Sequence, residues 1–209
     1  MGNPHGISEA LSNLGNVAAL QGDYSHASDL FQQSLEISRQ LGDQYGIALN
    51  LSNLGEVALR QGDYTRTTDL LQQSLNIFQQ MGDLYNIAWT CLGLGEAALK
   101  QGGTQAASWC GQALRIAHSI QATSVVLESA VKLANVTLQA GDAPRAAQLV
   151  GLMQSRPAKH SEMQRELDTL VTELEAALTA DELQAALEQG KSLDLDTVVG
   201  ELLAEFGER

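Results

Sequence analysis

The side chains able to do chemistry are few and scattered. His5, His26, His118 and His160 form no HExxH and no pair at metal-ligand spacing. Cys110 and His118 would sit two turns apart on a helix, too far for the imidazole to activate the thiol directly. Ser34 and Ser74 occupy the same place in two copies of one local sequence, which marks them as packing residues rather than nucleophiles. Asp23, Asp63 and Asp142 each follow a glycine, where helix capping accounts for them. Asp181-Glu182 and the acidic tail lack the spacing of a calcium loop, and no G-x-x-x-x-G-K-[ST] phosphate loop occurs. These residues define no catalytic centre, no metal site and no cofactor site, so the expectation is a chain that is not an enzyme.

What the chain does have is a 40-residue unit written twice. Leu11 to Asn50 and Leu51 to Thr90 align without gaps, and 24 of 40 positions are identical. Self-similarity at such a period is the mark of a stacked repeat. Each unit breaks at two glycines, Gly22-Asp23 and Gly62-Asp63 first, then Gly42-Asp43 and Gly82-Asp83. Glycine ends a helix in the left-handed conformation and the following Asp caps the next one. Between the breaks Leu51, Leu54, Val57 and Ala58 recur at helical spacing, as do Leu70, Leu71, Ser74, Leu75 and Ile77. The unit is therefore helix A, turn, helix B, turn, and neither helix buries its apolar stripe without a neighbouring unit. Gly15, Gly55 and Gly95 recur in mid-helix A, where Gly costs about 1 kcal/mol against Ala. Ala27, Ala106 and Ala146 hold a matching small position on helix B, so a close helix crossing is expected there.

The pattern of Leu-Gly in helix A, Tyr24 or Tyr64 after the turn, a small residue early in helix B and Phe31 or Leu71 four later resembles the tetratricopeptide repeat (TPR). The period exceeds the usual value of about 34 residues and is similar to the long-helix variety of bacterial signalling regulators and kinesin light chains. The implied architecture is all-α, a right-handed α-solenoid of about four helical hairpins with a C-terminal helical cap. The expected boundaries are a polar leader at 1–6, hairpins at 7–43, 44–83, 84–121 and 122–158, and an acidic helical cap at 159–209. The third hairpin is degenerate, with Gln101-Gly102-Gly103-Thr104 and Ile120-Gln121-Ala122 at its breaks. Helices are expected over Tyr85–Lys100 and Thr104–Ser119. A fourth hairpin opens near Thr123, with Pro144 in its second helix and a stop near Ser155, ahead of Pro157. In the tail, Met163 to Leu178 reads as one helix, Asp181 to Gln189 as a second ended by Gly190, and Leu193 to Phe206 as a third. The runs Arg145 to Gly151 and Gly190 to Asp196 are similar to the C-terminal end of bacterial multidomain signalling NTPase and transcriptional regulators. The chain lacks their phosphate loop and any evident basic helix-turn-helix, so only their sensor or interaction end is implied.

Charge and composition narrow the partners. The 209 residues carry a net charge of −13, which argues against nonspecific nucleic-acid binding. Most of it lies in the tail: 13 acids against 3 bases in residues 161–209, and 12 against 9 before them. No signal peptide and no long apolar run is present, so a membrane span is not expected and a cytoplasmic location is. Cys91 and Cys110 read as buried thiols. The repeats begin almost at once, without the polar element that commonly caps a solenoid. This predicts a longer array or a partner over that end, including a homo-oligomer formed through it.

The resemblance implies a concave face lined by helix A. Aligning Leu14-Gly15, Leu54-Gly55, Leu94-Gly95 and Leu133-Ala134 places Asn16, Glu56, Glu96 and Asn135 one residue beyond the pair. Ser12, Ser52, Leu92 and Val131 stand two before the Leu, and Arg60 and Lys100 lie further along. Family members that clamp a carboxylate use Lys, Asn and Arg at the first two of these registers. Only Asn16 and Asn135 fit, so a carboxylate clamp is disfavoured. Glu56 and Glu96 instead favour a basic or amide-rich protein segment. Trp89 is either an aromatic anchor for it or an interhelical packing residue. Asn13 and Asn53, which recur in register, are expected in interhelix hydrogen bonding. The function read from the sequence is a non-catalytic protein-interaction scaffold within a signalling regulator. The alternatives are a self-association or autoinhibitory element and a peptide or small-ligand sensor.

Overall fold

The computed structural model describes residues 3–156 and 161–207. Met1 and Gly2 of the leader, Pro157 and His160 lie outside them. Among the described residues the chain forms eleven helices and no strand. It divides into two compact units, Met1–Gln101 and Gly102–Arg209, and the boundary falls within the expected hairpin 84–121.

The first unit holds α1 (Pro4–Leu20), α2 (Tyr24–Leu41), α3 (Gln44–Arg60), α4 (Tyr64–Met81) and α5 (Leu84–Lys100). These are stacked solenoid hairpins: α1 packs on α2 and α3 on α4, while α2 and α4 pack on the A helix that follows each. Gly42 and Gly82 end their helices in the left-handed conformation, at φ 69° and 70°. Asp23, Asp43, Asp63 and Asp83 accept a backbone N–H three residues on, as the repeat predicts. α1 starts at Pro4 rather than Ile7, because a first-turn N–H has no helical partner and proline loses nothing there.

The mid-helix glycines make room for a different neighbour than expected. A Cβ on Gly15 would come 2.6 Å from the Phe31 ring, and one on Gly55 2.7 Å from the Leu71 side chain. The large residue four beyond the small one, not the small residue itself, covers each glycine. Ile7, Leu14, Val17 and Leu20 lie exposed along α1, Leu20 at 89%. Their α3 counterparts Leu54 and Val57 are buried.

The second unit holds α6 (Ala106–Ser119), α7 (Thr123–Gln139), α8 (Ala143–Gln154), α9 (Ser161–Ala177), α10 (Ala180–Lys191) and α11 (Leu195–Phe206). Between α6 and α7, Gln121 takes φ 56°, supplying without glycine the left-handed turn made by Gly42 and Gly82. α7 packs on both α6 and α8, α10 lies on α8, and α11 lies on α6. Gly190 does not stop α10. It sits inside the helix where α10 crosses α8: a Cβ on Gly190 would overlap the Gln148 carbonyl, and one on Gly151 the Leu187 carbonyl. Gly111 is pressed in the same way against the Phe206 carbonyl of α11. Lys132 of α7 pairs with Glu166 of α9 at 2.8 Å, and Arg145 of α8 with Glu201 of α11. Thr179 and Glu182 form a capping box at the start of α10. The Thr179 hydroxyl and backbone N–H both donate to Glu182 and hold its carboxyl below the usual range.

Candidate interaction face of residues 1–101

Helices α1, α3 and α5 carry most of the residues that the sequence assigns to a partner-binding face, and α3 packs on both of the others. Asn16, Glu56, Arg60 and Lys100 are exposed, while Ser52, Trp89 and Glu96 are half-buried. Ser12 and Leu92 are 6% and 3% exposed, so Leu92 belongs to the core and Ser12 reaches only the wall of a cavity. Asn135 is on α7 of the second unit, half-buried, and accepts from the Gln139 side chain at 3.1 Å.

The charges meet at Arg60. Its Nε donates to Glu56 Oε1 at 2.6 Å, one turn back on α3. Partial burial would lower the guanidinium pKa, but Glu56 and then Glu96 outweigh it and hold Arg60 above its ordinary value. The face is therefore of mixed sign here, less acidic than Glu56 and Glu96 alone imply. Trp89 stands edge-on to Tyr85, with ring centroids 6.4 Å apart, so it has a packing partner and is also partly open to solvent.

Below this register, α1, α2 and α3 enclose a half-open cavity of about 350 Å³. Its floor is a cluster of buried hydroxyls. Ser8 Oγ lies 2.9 Å from both Ser34 Oγ and Ser38 Oγ. Ser34 Oγ donates to the Ser8 carbonyl at 2.8 Å, and Ser74 Oγ does the same to the Ala48 carbonyl one repeat on, so both serines are packing residues as expected. Asn50 Nδ2 donates to Ser34 Oγ at 2.9 Å and to the Gly46 carbonyl at 2.8 Å. This is the interhelix amide that the sequence assigned to Asn13 and Asn53. Asn13 is exposed, and Asn53 Nδ2 is buried with no hydrogen bond. Sequence reasoning missed Asn50 because Thr90 replaces it in the next unit, so no register repeats it.

The other reactive groups stay apart. Cys91 and Cys110 are buried thiols, one in each unit. His26 and His118 are exposed, and His5 lies at the cavity rim. Among the described residues no His, Cys, Asp and Glu cluster has the arrangement of a metal site. No described helix is long and apolar enough to cross a membrane.

Stacked helical hairpins closed by glycine-Asp turns define a helical-repeat protein. Tetratricopeptide repeat models match residues 8–41 and 46–108, and over these residues the chain is similar to that family. No curated protein matches it. Tetratricopeptide repeats generally mediate protein–protein interaction and are generally non-catalytic scaffolds.

Proposed function

We propose that the chain is a non-catalytic interaction module that holds a partner segment along α1, α3 and α5. The observation that carries this reading is the exposed register Asn16, Glu56, Arg60 and Lys100 with half-buried Glu96 and Trp89 beside it. These side chains supply acceptors, donors and an aromatic edge on rigid helices. The partner segment is amide-rich or basic: Glu56 and Glu96 offer acceptors, while Arg60 and Lys100 on the same helices offset their charge. The setting is a cytoplasmic bacterial signalling regulator. The resemblance of the tail to such proteins and two buried thiols support it.

The test is anisotropy of labelled peptides of graded charge, with the double substitution Glu56→Lys and Glu96→Lys beside the parent chain. Basic peptides are expected to bind the variant about tenfold or more weakly, with the loss shrinking at high salt. Equal binding by both proteins would remove this face as the site.

A second reading, self-association, draws on the exposed stripe Ile7, Leu14, Val17 and Leu20. Such a stripe is an interaction surface when contiguous. Light scattering should then show a mass that rises with concentration, and Leu14→Lys with Val17→Lys should abolish the rise. A parent chain that stays monomeric at high concentration would refute this reading.

A further inference from the structure

We propose that the cavity between α1, α2 and α3 is a binding site for a primary ammonium on a flexible alkyl stem. The chain contains its own control, because the second repeat closes the equivalent space. At the register of Ser38 stands Phe78, 1% exposed and edge-on to Tyr45 with centroids 6.2 Å apart. At the register of Gly46 stands Asn86, whose Nδ2 donates to Asp83 Oδ2 at 2.7 Å. The second repeat thus fills the recess with a ring and satisfies the capping carboxylate with its own N–H donor. The first repeat has given up both.

The polar groups left around the first recess are short of donors. Asp43 Oδ1 accepts the Gly46 N–H at 3.0 Å. Its Oδ2 borders the space over Gly46, where a Cβ would come 2.5 Å from it and 2.6 Å from Ser38 Oγ. Asn50 is 2% exposed and lines the cavity. Its Nδ2 is committed to the Gly46 carbonyl, which can only accept, so the amide orientation is fixed and Oδ1 is left without a donor. Glu9 adds a second carboxylate to the lining, at the register where the later repeats have Leu49 and Trp89. Two carboxylates, an orphaned amide oxygen and the Ser8–Ser38 hydroxyl pair, in which either atom can donate, match a group with several N–H donors and a positive charge. The Tyr45 and Leu49 side chains in the lining suit the alkyl stem. This site does not rest on the face at Glu56 and Glu96.

The ammonium can arrive on a free amine or on a lysine side chain, and one titration separates the two. Backbone and side-chain amide resonances of the intact protein are followed by NMR with 1,5-diaminopentane, with Nα-acetyl-lysine methylamide, and with 1,5-pentanediol as the uncharged match. At least one amine should shift Gly46 and the Asn50 side-chain amide at millimolar concentration, and bind about tenfold or more tightly than the diol. Which amine does so tells which source the recess admits. Asp43→Asn keeps a good helix cap while removing the charge, and should weaken amine binding about tenfold. Ser38→Phe, the residue of the next repeat, should abolish it. Circular dichroism of each variant checks the fold. The proposal is overturned if neither amine moves these resonances, if the diol moves them equally, or if a folded Asp43→Asn protein binds amine as the parent does.

Discussion

Truncating Phe31 to alanine is expected to destabilise residues 1–101 by about 3–5 kcal/mol, among the largest effects of any truncation in that unit. Phe31 is 1% exposed and among the largest fully buried side chains. Its ring lies where a Cβ on Gly15 would be, so the cavity opened by truncation faces a bare stretch of α1 backbone. The cause can be separated from ordinary loss of apolar contact by a double-mutant cycle. Gly15→Ala should destabilise the parent, because its methyl group meets the ring at 2.6 Å. In the Phe31→Ala background the same change should be neutral or stabilising, since the space is open and Ala favours the helix by about 1 kcal/mol. Denaturant unfolding followed through Trp89 on α5, with Trp109 of α6 replaced by Phe in every variant, reads this unit. A Gly15→Ala effect of equal size in both backgrounds would show that the ring is not what requires glycine.

The second large effect is expected where α10 crosses α8. Gly151→Ala or Gly190→Ala should each cost about 2–3 kcal/mol, because the new methyl group meets a backbone carbonyl rather than a movable side chain. The helices must separate, which also weakens the Gln148–Gln189 hydrogen bond of 3.2 Å across the same crossing. The two substitutions act on one contact, so the double variant should cost clearly less than their sum. Amide hydrogen exchange is the direct measurement, with α10 protection falling about thirtyfold or more in either single variant. Unchanged protection in α10 would mean that this crossing does not hold the helix in place.

Much of the fold was legible because the sequence repeats itself. Gly42, Gly82 and the capping aspartates could be read from local chemistry, since a left-handed turn and an N-cap each demand a residue type at one position. Gly190 shows where that reasoning stops. A glycine near the end of a helical pattern reads as a terminator, yet this one is set by Gln148 of α8, far away in sequence. The turn at Gln121 fails in the opposite direction: the required conformation is present without the residue that announces it. On the candidate face, register alone put Glu56 and Glu96 at equivalent positions of α3 and α5, and both act on Arg60. It gave no warning that Arg60 pairs with Glu56, because side-chain direction decides that pairing. Leu92 was misplaced for the same reason: alignment to Ser12 and Ser52 identifies a register, not whether its side chain reaches solvent.

The contrast between Ser38 and Phe78 has a bearing on how the array assembles. Two tandem units with 24 of 40 identical positions can in principle pair out of order, with α4 docking where α2 belongs. Such a slip would drive Phe78 into the hydroxyls of Ser8 and the amide of Asn50, and would leave Tyr45 opposite a serine. The correct order instead puts ring against ring and hydroxyl against hydroxyl. One mismatched register between near-identical repeats therefore tells each helix which place in the stack is its own, as a key cut differently from its neighbour fits only one lock.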